Sequence, residues 1–474
     1  MLRYPPAPPR SWRPNLLVTR VPAPYNWSIS RFCLSSATKL QLQKYHERTL
    51  HSRQVTVGLR QFSSRSKAWS PRELSQRDTP RTSGPSYEEQ LDRVNYVRSF
   101  AERVPVPGVR KQVLFALLGS FTAFVLAAGM TNYDTLELVQ TFRDISLWRT
   151  EPSNRELLTL NKEVYADRVR APIIRMVNEI GYTWPQSIAG FAQWAALQVV
   201  SPIIGSDEGK RICWAIGALN GAVFLLWRFK FLKPFMMSNF THHPLSGKAF
   251  TMLTSTFSHE SLLHYLFNAM ALASFGAATA VHFRQRAVES DTLPEGTVQW
   301  QLLAFIVAGG LLSSLTSHLV TARIIYPQML ARFRSSLTQN LRDSAARATA
   351  TGANTASKAS PKILPSLGIS GAVYSAFIYT ALAYPDTHIS LIFLTGFPIP
   401  IAWGAAGLVT VDFLGAIRGW RYMDHFAHLG GAAFGAFYYA YGQQIWERAR
   451  ILALHVWSWW LDTPASRDNR GNSI

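Results

Sequence analysis

The stretch 258–268, SHESLLHYLFN, concentrates side chains that could do chemistry: His259, Glu260, His264 and Asn268. It nearly forms the H-E-x-x-H motif, whose two histidines lie four residues apart on one helix face and bind zinc. His259 and His264 are five residues apart, so on one helix they would point about 140° away from each other. No further cluster of ligands compensates, so we expect no metal site.

The four-residue spacing instead unites His264 with Asn268, one helical turn apart. Both side chains can donate hydrogen bonds to a common point, as an anionic reaction intermediate requires. The alternative is that they only cross-link neighbouring helices. His259 and Glu260 are then expected at the start of the helix, with a role in substrate gating as the alternative.

A serine between glycines provides a candidate nucleophile in the stretch 365–377, PSLGISGAVYSAF. Gly368 and Gly371 leave the hydroxyl of Ser370 accessible, and free N–H groups at a helix start can stabilise an oxyanion. Tyr374 follows one turn later on the same face. The alternative is that these small residues serve only helix packing.

His428 provides a candidate base in the stretch 424–437, DHFAHLGGAAFGAF. Gly431 and Gly435 form a strip of small residues along which another helix can approach closely. Such an approach would bring His428 against Ser370 and form a nucleophile–base pair, although a lone buried histidine can also be structural. Asp424, one turn before His428, is either an orienting carboxylate or a residue that caps the helix or pairs within the loop.

Apolar segments of about 20 residues predict membrane-spanning helices that carry these groups. They predict an all-α polytopic membrane protein with one span, a long gap and six more spans (1+6). The predicted spans are 112–130, 212–229, 257–281, 301–320, 364–384, 389–411 and 424–442. The segment 184–205 contains three glutamines, which favours an interfacial helix over a further span.

The first 72 residues resemble a mitochondrial transit peptide. They contain 13 Lys/Arg and one acid, Glu47, and so supply +12 of the chain's net charge of +20. They are also rich in serine and interrupted by proline. The stretch RQFSS predicts cleavage near 62/63, and a disordered basic tail is the alternative. Because the charge is terminal, a nucleic-acid groove is not indicated.

The loop charges predict the orientation. The loops 230–250 and 321–363 carry ten Lys/Arg and one acid, whereas 131–211 and 282–300 carry no basic excess. Basic loops stay on the side of synthesis, so the N-terminus is expected in the matrix and the C-terminus in the intermembrane space.

The remaining boundaries follow from these spans. We predict a polar linker, an intermembrane-space connector, a six-helix core, a low-complexity loop inside the core, and a C-terminal tail. Their ranges are 73–111, 131–211, 212–442, 335–360 and 443–474, respectively.

Taken together, the motifs resemble mitochondrial inner-membrane rhomboid proteases of the presenilin-associated rhomboid-like type. The resemblance runs from Trp227-Arg228 through 254–270 and 365–372 to 420–442. It implies a six-helix rhomboid core after one extra helix, and hydrolysis of peptide bonds within or beside the transmembrane segment of single-span proteins. A dynamin-like fusion GTPase and cytochrome c peroxidase are substrates that it suggests. No cofactor or metal is implied.

The resemblance also implies roles for individual residues. Ser370 corresponds to the nucleophile and His428 to the general base of a catalytic dyad. His264, Asn268 and the backbone N–H of Ser370 correspond to the oxyanion donors, and Tyr374 to an aromatic residue stacked on the base. Trp227 and Arg228 correspond to a pair where the first core helix meets a loop that shapes substrate access.

Two other functions remain open at this stage. A rhomboid-like scaffold or chaperone without activity would share the fold, but it would be expected to lack Ser370 or His428. A transporter could also use polar groups within the membrane, but it would usually contain repeated halves.

Overall fold

The computed structural model describes residues 106–145, 151–290, 292–347, 363–391, 394–420 and 422–462. The predicted transit peptide 1–72, its cleavage site and most of the predicted linker 73–111 lie outside these residues. So do most of the predicted loop 335–360 and the last residues of the chain.

The described residues are almost entirely helical. In the first half the helices are α1 (Arg110–Ile145), α2 (Asn154–Thr183), α3 (Gln186–Gly205), α4 (Glu208–Leu226), α5 (Lys233–Asn239), α6 (Thr251–Thr254), α7 (Leu262–Ala271) and α8 (Ala277–Glu289). They continue with α9 (Gln299–Val320), α10 (Tyr326–Arg347), α11 (Ser370–Ala383), strands β1 (His388–Leu391) and β2 (Leu394–Pro400), α12 (Ile401–Arg418) and α13 (His425–Asp462). Short 3₁₀ turns occupy Lys230–Leu232, Pro244–Ser246 and Ser255–Phe257.

Two pairs of these helices form continuous rods. A π-helical turn at Leu272–Gly276 joins α7 to α8, and another at Thr321–Ile325 joins α9 to α10. Such turns insert an extra residue without ending the helix.

Within the described residues, five helical segments are long and apolar enough to cross a membrane by length and composition alone. They are Arg110–Ile145, Ile188–Gly205, Leu262–Glu289, Gln299–Ser336 and Ile401–Arg418. A sixth is added if α4 and α5, which meet at 95°, are one broken span. The fold is therefore that of an all-α polytopic membrane protein, as predicted, whereas the 1+6 arrangement stays a prediction.

The helices and strands extend past three of the predicted boundaries. The span predicted at 389–411 begins as the hairpin β1–β2, whose sequence is rich in β-branched residues, and only then becomes α12. Part of the loop predicted at 335–360 continues α10 to Arg347, since Ala, Arg, Leu and Gln favour helix. The tail predicted from 443 continues α13 to Asp462.

Helix α9 lies at the centre of the described fold. It packs against α1, α11 and α13, and its buried apolar side chains include Leu302, Phe305, Ile306 and Leu311. Aromatic rings of α13, among them Phe434 and Tyr438, pack around Phe305. A helix that is apolar on all sides is expected at such a central position.

Helices α11 and α13 are in backbone contact. A Cβ atom on Gly431 would lie 2.2 Å from the carbonyl oxygen of Gly371, and one on Gly435 would lie 2.3 Å from that of Ser375. No larger residue fits either position without moving one helix. The strip of small residues thus permits the close approach that the sequence predicts, and it fixes the distance between the two helices.

The first described helix is tied to the last by a buried polar network. Arg450 of α13 donates from Nε to Asn132 Oδ1 of α1 at 2.9 Å, and the Asn132 amide donates back to the Arg450 carbonyl at 3.0 Å. Arg450 also lies 3.4 Å from the Glu295 carboxylate, which accepts a bond from Trp446 Nε1. Burial raises the pKa of the Glu295 carboxyl, and the Arg450 guanidinium opposes this shift. A buried charge requires such partners.

Candidate active site

Ser370 and His428 are brought together, as the sequence predicts. Ser370 is the first residue of α11 and His428 lies in the first turn of α13. The Ser370 hydroxyl is 3.0 Å from His428 Nε2, within hydrogen-bonding distance. The Tyr374 ring stacks on the His428 ring with centroids 4.6 Å apart and planes 8° from parallel. This is the geometry of a serine with an adjacent base.

The segment before Ser370 is held by its backbone. Ser366 exchanges two backbone hydrogen bonds with His242, and the Gly368 N–H donates to the Ser255 carbonyl. Gly368 has φ +123°, a conformation that glycine adopts at little cost. Because Ser370 begins the helix, its N–H has no partner within α11 and lies beside its own hydroxyl.

His264 lies against this segment from α7. A Cβ atom on Gly368 would come within 2.7 Å of His264 Cε1 and 3.0 Å of Nε2, so the ring packs directly on the glycine. Asn268 is buried one turn later, and its amide donates to the His264 carbonyl at 2.8 Å. One amide hydrogen of Asn268 is thereby used within its own helix, and the other remains for a second acceptor.

His259 does not lie on the helix of His264. Since α7 begins at Leu262, the two side chains do not diverge by about 140° on one helix, and their imidazole centroids are 4.9 Å apart. His259 Nε2 instead accepts the backbone N–H of Ile369 at 3.4 Å. Across the part of the chain that the structure describes, no group of three His, Cys, Asp or Glu side chains could hold a metal ion.

Trp227 and Arg228 fasten the segment that leads into α7. Trp227 Nε1 donates to Ser258 Oγ at 2.8 Å, and Arg228 donates to the Glu260 carbonyl. The Glu260 carboxylate lies 3.4 Å from Lys233 Nζ. These contacts link residues 227–233, where the chain turns from α4 into α5, to the segment that carries His259. They therefore position His259 and His264 indirectly.

Asp424 caps α13. One carboxylate oxygen accepts the Ala427 N–H at 3.1 Å and the other accepts the Ser317 hydroxyl at 2.6 Å. The first contact is that of a helix N-cap, and the second ties the cap to α9. The imidazole of His428 has a different carboxylate partner.

That partner is Asp412, which the sequence reasoning missed. Asp412 Oδ1 lies 3.1 Å from His428 Nδ1 and 2.6 Å from His425 Nδ1, and Oδ2 accepts the Tyr374 hydroxyl. The predicted span ended at 411, one residue too early. A single acid in the apolar run VTVDFLG was the available signal, because ionisable groups within spans are commonly functional.

A small polar cavity lies behind Ser370 on the side of α9. Its volume is about 30 Å³, enough for a water molecule. Hydroxyl groups of Ser255, Thr256, Ser313 and Ser314 line it, together with Asp424. Ser314 Oγ has no hydrogen-bond partner among the described atoms.

Two histidines connect this region to the start of α1. His242 Nε2 lies 2.9 Å from His318 Nδ1, and His318 Nε2 donates to the Gly108 carbonyl at 2.7 Å. Burial lowers the pKa of His242 to about 3, and the nearby His318 adds to this shift. His242 is therefore neutral near pH 7. It pairs with Ser366, four residues before Ser370, so the contact joins α1 to the segment that carries the nucleophile.

Comparison with known proteins shows what the part of the chain that carries the site is similar to. The Rhomboid domain family matches residues 246–444, which include Ser370, His428, His264, Asn268 and Asp412. No solved structure matches the chain.

Several mitochondrial proteins are similar to the chain. Presenilin-associated rhomboid-like protein A, mitochondrial, of Danio rerio is 27% identical over 53% of each chain. Presenilin-associated rhomboid-like protein, mitochondrial, of Mus musculus is 29% identical over 53% of this chain and 54% of its own. Rhomboid protein 1, mitochondrial, of Saccharomyces cerevisiae is 26% identical over 53% and 59%, respectively. The chain thus matches about half the length of these relatives. Residues 246–444 are similar to the Rhomboid domain, and about half of the chain is similar to mitochondrial presenilin-associated rhomboid-like proteins.

Proposed function

We propose that this protein is an intramembrane serine protease of the mitochondrial inner membrane. It cleaves single-span proteins within or beside their transmembrane segments. The observation that carries the proposal is the 3.0 Å contact between Ser370 Oγ and His428 Nε2 in a rhomboid domain. Both ends of the pair are fixed by the backbone contact between α11 and α13.

The acylation step uses the Ser–His pair. Ser370 Oγ attacks the substrate carbonyl carbon while His428 Nε2 takes the hydroxyl proton. When the tetrahedral intermediate collapses, the peptide C–N bond breaks and His428 returns the proton to the leaving amine. The N-terminal part of the substrate is then esterified to Ser370.

The negative charge that develops on the oxygen of the substrate carbonyl must be stabilised by hydrogen-bond donors. The Ser370 backbone N–H has no partner within α11 because it begins the helix, and the His264 ring packs on Gly368, two residues earlier. Asn268 has a second amide hydrogen available. Donors fixed before the reaction stabilise an oxyanion more effectively than water, because they need not reorganise.

Deacylation requires water at the half-buried serine. The hydroxyl-lined cavity beside Ser370 has room for a water molecule. His428 takes a proton from water as the water oxygen attacks the ester carbon, and it returns this proton to Ser370 Oγ as the ester bond breaks. No metal or cofactor takes part in this sequence.

Two observations support the proposed location of the protein in the cell. The relatives are mitochondrial by name, and several helices can span a membrane, which supports a mitochondrial multi-pass membrane protein. The inner membrane, the matrix location of the N-terminus and the intermembrane-space location of the C-terminus are part of the proposal. By family resemblance, the proposed substrates include a dynamin-like fusion GTPase or cytochrome c peroxidase.

Reconstitution tests the proposal. The full chain is incorporated into liposomes with a single-span reporter, and the wild type is compared with Ser370→Ala, with and without a zinc chelator. We expect the wild type to cut in both conditions and the variant in neither. Cleavage by Ser370→Ala would refute the proposal, and loss of cleavage with chelator would support a metalloprotease. Reporter binding without cleavage by the wild type would favour the scaffold function.

A further inference from the structure

The segment that leads to Ser370 is held in part by a residue that the family match does not include. His242 exchanges two backbone hydrogen bonds with Ser366, at 2.9 and 3.0 Å. The match to the Rhomboid domain begins at residue 246, so both His242 and α1 lie outside it. The side chain of His242 is buried and points the connection onward, away from Ser366 and toward α1.

The direction of the side-chain hydrogen bonds beyond His242 is determined by their last acceptor. The carbonyl of Gly108, just before α1, can only accept, so His318 Nε2 at 2.7 Å carries a proton. Both histidine rings are buried, with 1% of each residue exposed, which disfavours a charge on either. In the neutral ring His318 Nδ1 is then an acceptor, and His242 Nε2, 2.9 Å from it, is the donor. His242 Nδ1 faces the Thr251 hydroxyl at 2.9 Å, which can donate to it.

The same end of α1 also packs against the elements that surround these histidines. Ala116 of α1, Met252 of α6 and Leu311 of α9 belong to one buried apolar cluster. Helix α6 leads directly to Ser255, whose carbonyl accepts the Gly368 N–H at 2.9 Å. A polar route and an apolar route therefore run from α1, and both end on the segment that precedes the proposed nucleophile.

We propose that His318 is a positioning residue through which α1 holds the nucleophile segment in place. It acts through His242 and Ser366, and it does not touch the reacting atoms. Without His318, the side chain of His242 loses its partner, and the backbone to which Ser366 is bonded is less firmly held. Ser370 is then free to shift relative to His428, and their 3.0 Å contact tolerates little lengthening. The proposal rests on the proposed protease function.

Three substitutions separate this link from general stability. His318→Phe keeps a ring of similar volume and removes both hydrogen bonds. His318→Gln is the conservative variant, because an amide can donate to Gly108 while its oxygen accepts from His242. His282→Phe is the matched control, since His282 is a partly buried histidine that is hydrogen-bonded to a tyrosine. It lies on the rod formed by α7 and α8, about 27 Å along the rod from His264.

The first measurement is cleavage of the single-span reporter in liposomes, with the melting temperature of each variant. We expect His318→Phe to lower kcat about 10- to 100-fold with KM unchanged, as for a displacement of up to about 1 Å at the nucleophile. His318→Gln should recover most of the loss, and His282→Phe should keep the wild-type kcat. A wild-type kcat in folded His318→Phe would overturn the proposal. An equal loss in His282→Phe would also overturn it, because lost stability would then explain both.

Hydrogen exchange tests the link without any cleavage. The peptide that contains Ser366 and Gly368 is followed by mass spectrometry in the full chain. We expect its amides to exchange faster in His318→Phe and at the wild-type rate in His318→Gln. Unchanged exchange in His318→Phe would overturn the proposal. If the wild type does not cut the reporter, the protease function fails, whereas the exchange still decides whether α1 holds this segment.

A second variant covers the case in which His318→Phe does not fold. Thr251→Val is close to isosteric and removes the hydroxyl that faces His242 at the other end of the chain of hydrogen bonds. We expect faster exchange of the same peptide and a lower kcat. Wild-type exchange or a wild-type kcat in Thr251→Val would then overturn the proposal.

Discussion

The contact between α11 and α13 provides the sharpest structural prediction, because it sets the distance between Ser370 and His428. We consider Gly431→Ala, three residues after His428 on the same helix. The new Cβ atom would lie 2.2 Å from the Gly371 carbonyl oxygen and 3.0 Å from Ser313 Oγ. The nearest obstacle is backbone, which cannot rotate away, so one helix must move.

The size of the movement follows from contact distances. Carbon and a carbonyl oxygen approach to about 3.3 Å, so the helices must separate by about 1 Å. A separation of that size lengthens the 3.0 Å contact between Ser370 and His428 beyond hydrogen-bonding range. We expect kcat to fall about 100-fold, as for other misplacements of about 1 Å. Overpacking is expected to cost about 1–3 kcal/mol of stability.

The assay measures reporter cleavage in liposomes together with thermal unfolding of each variant. Gly407→Ala is the matched control, because Gly407 lies in α12 and a Cβ there would meet nothing within 4 Å. The control should cut at the wild-type rate. Wild-type cleavage by Gly431→Ala would refute the claim that the close approach of α13 to α11 fixes the catalytic distance.

Three further substitutions test other contacts. Gly368→Ala places a side chain at φ +123° and within 2.7 Å of His264. We expect a loss of about 1–3 kcal/mol in the free energy of unfolding, together with loss of cleavage. An unchanged melting temperature and unchanged cleavage would contradict the strain at Gly368. His264→Ala should lower kcat about 100- to 1000-fold at constant KM, and an unchanged kcat would exclude His264 as an oxyanion donor. Arg450→Leu leaves the buried Glu295 unpaired and should destabilise the fold by about 3–5 kcal/mol in denaturant unfolding, with partial recovery when Glu295→Gln is added.

The sequence predicted the proposed nucleophile and base because their local patterns are distinctive. Ser370 between glycines and His428 before a strip of glycines need only local spacing to be recognised, and the strip implies a close helix approach. The fold class was equally accessible, since apolar segments of sufficient length indicate a helical membrane protein. Ser370 and His428 do meet in the structure.

The sequence did not reveal contacts that depend on where a helix begins. The case against a metal site assumed that His259 and His264 share one helix, yet α7 starts three residues after His259, which lies at the entry to the helix. Asp412 was missed because the span was predicted at 389–411, which counts the hairpin β1–β2 as part of the span, whereas α12 begins at Ile401 and continues to Arg418. Its pairing with His428, 16 residues away, depends on the packing of α12 against α13, which a linear pattern does not encode.

The central claim is that Ser370 is a nucleophile activated by His428, and covalent trapping tests it most directly. The purified full chain in liposomes is treated with a fluorophosphonate, and the modified residue is located by peptide mass spectrometry. We expect an adduct on Ser370 in the wild type and its loss in His428→Gln. An adduct on another residue, or equal labelling of Ser370 without His428, would refute the activation of Ser370 by His428.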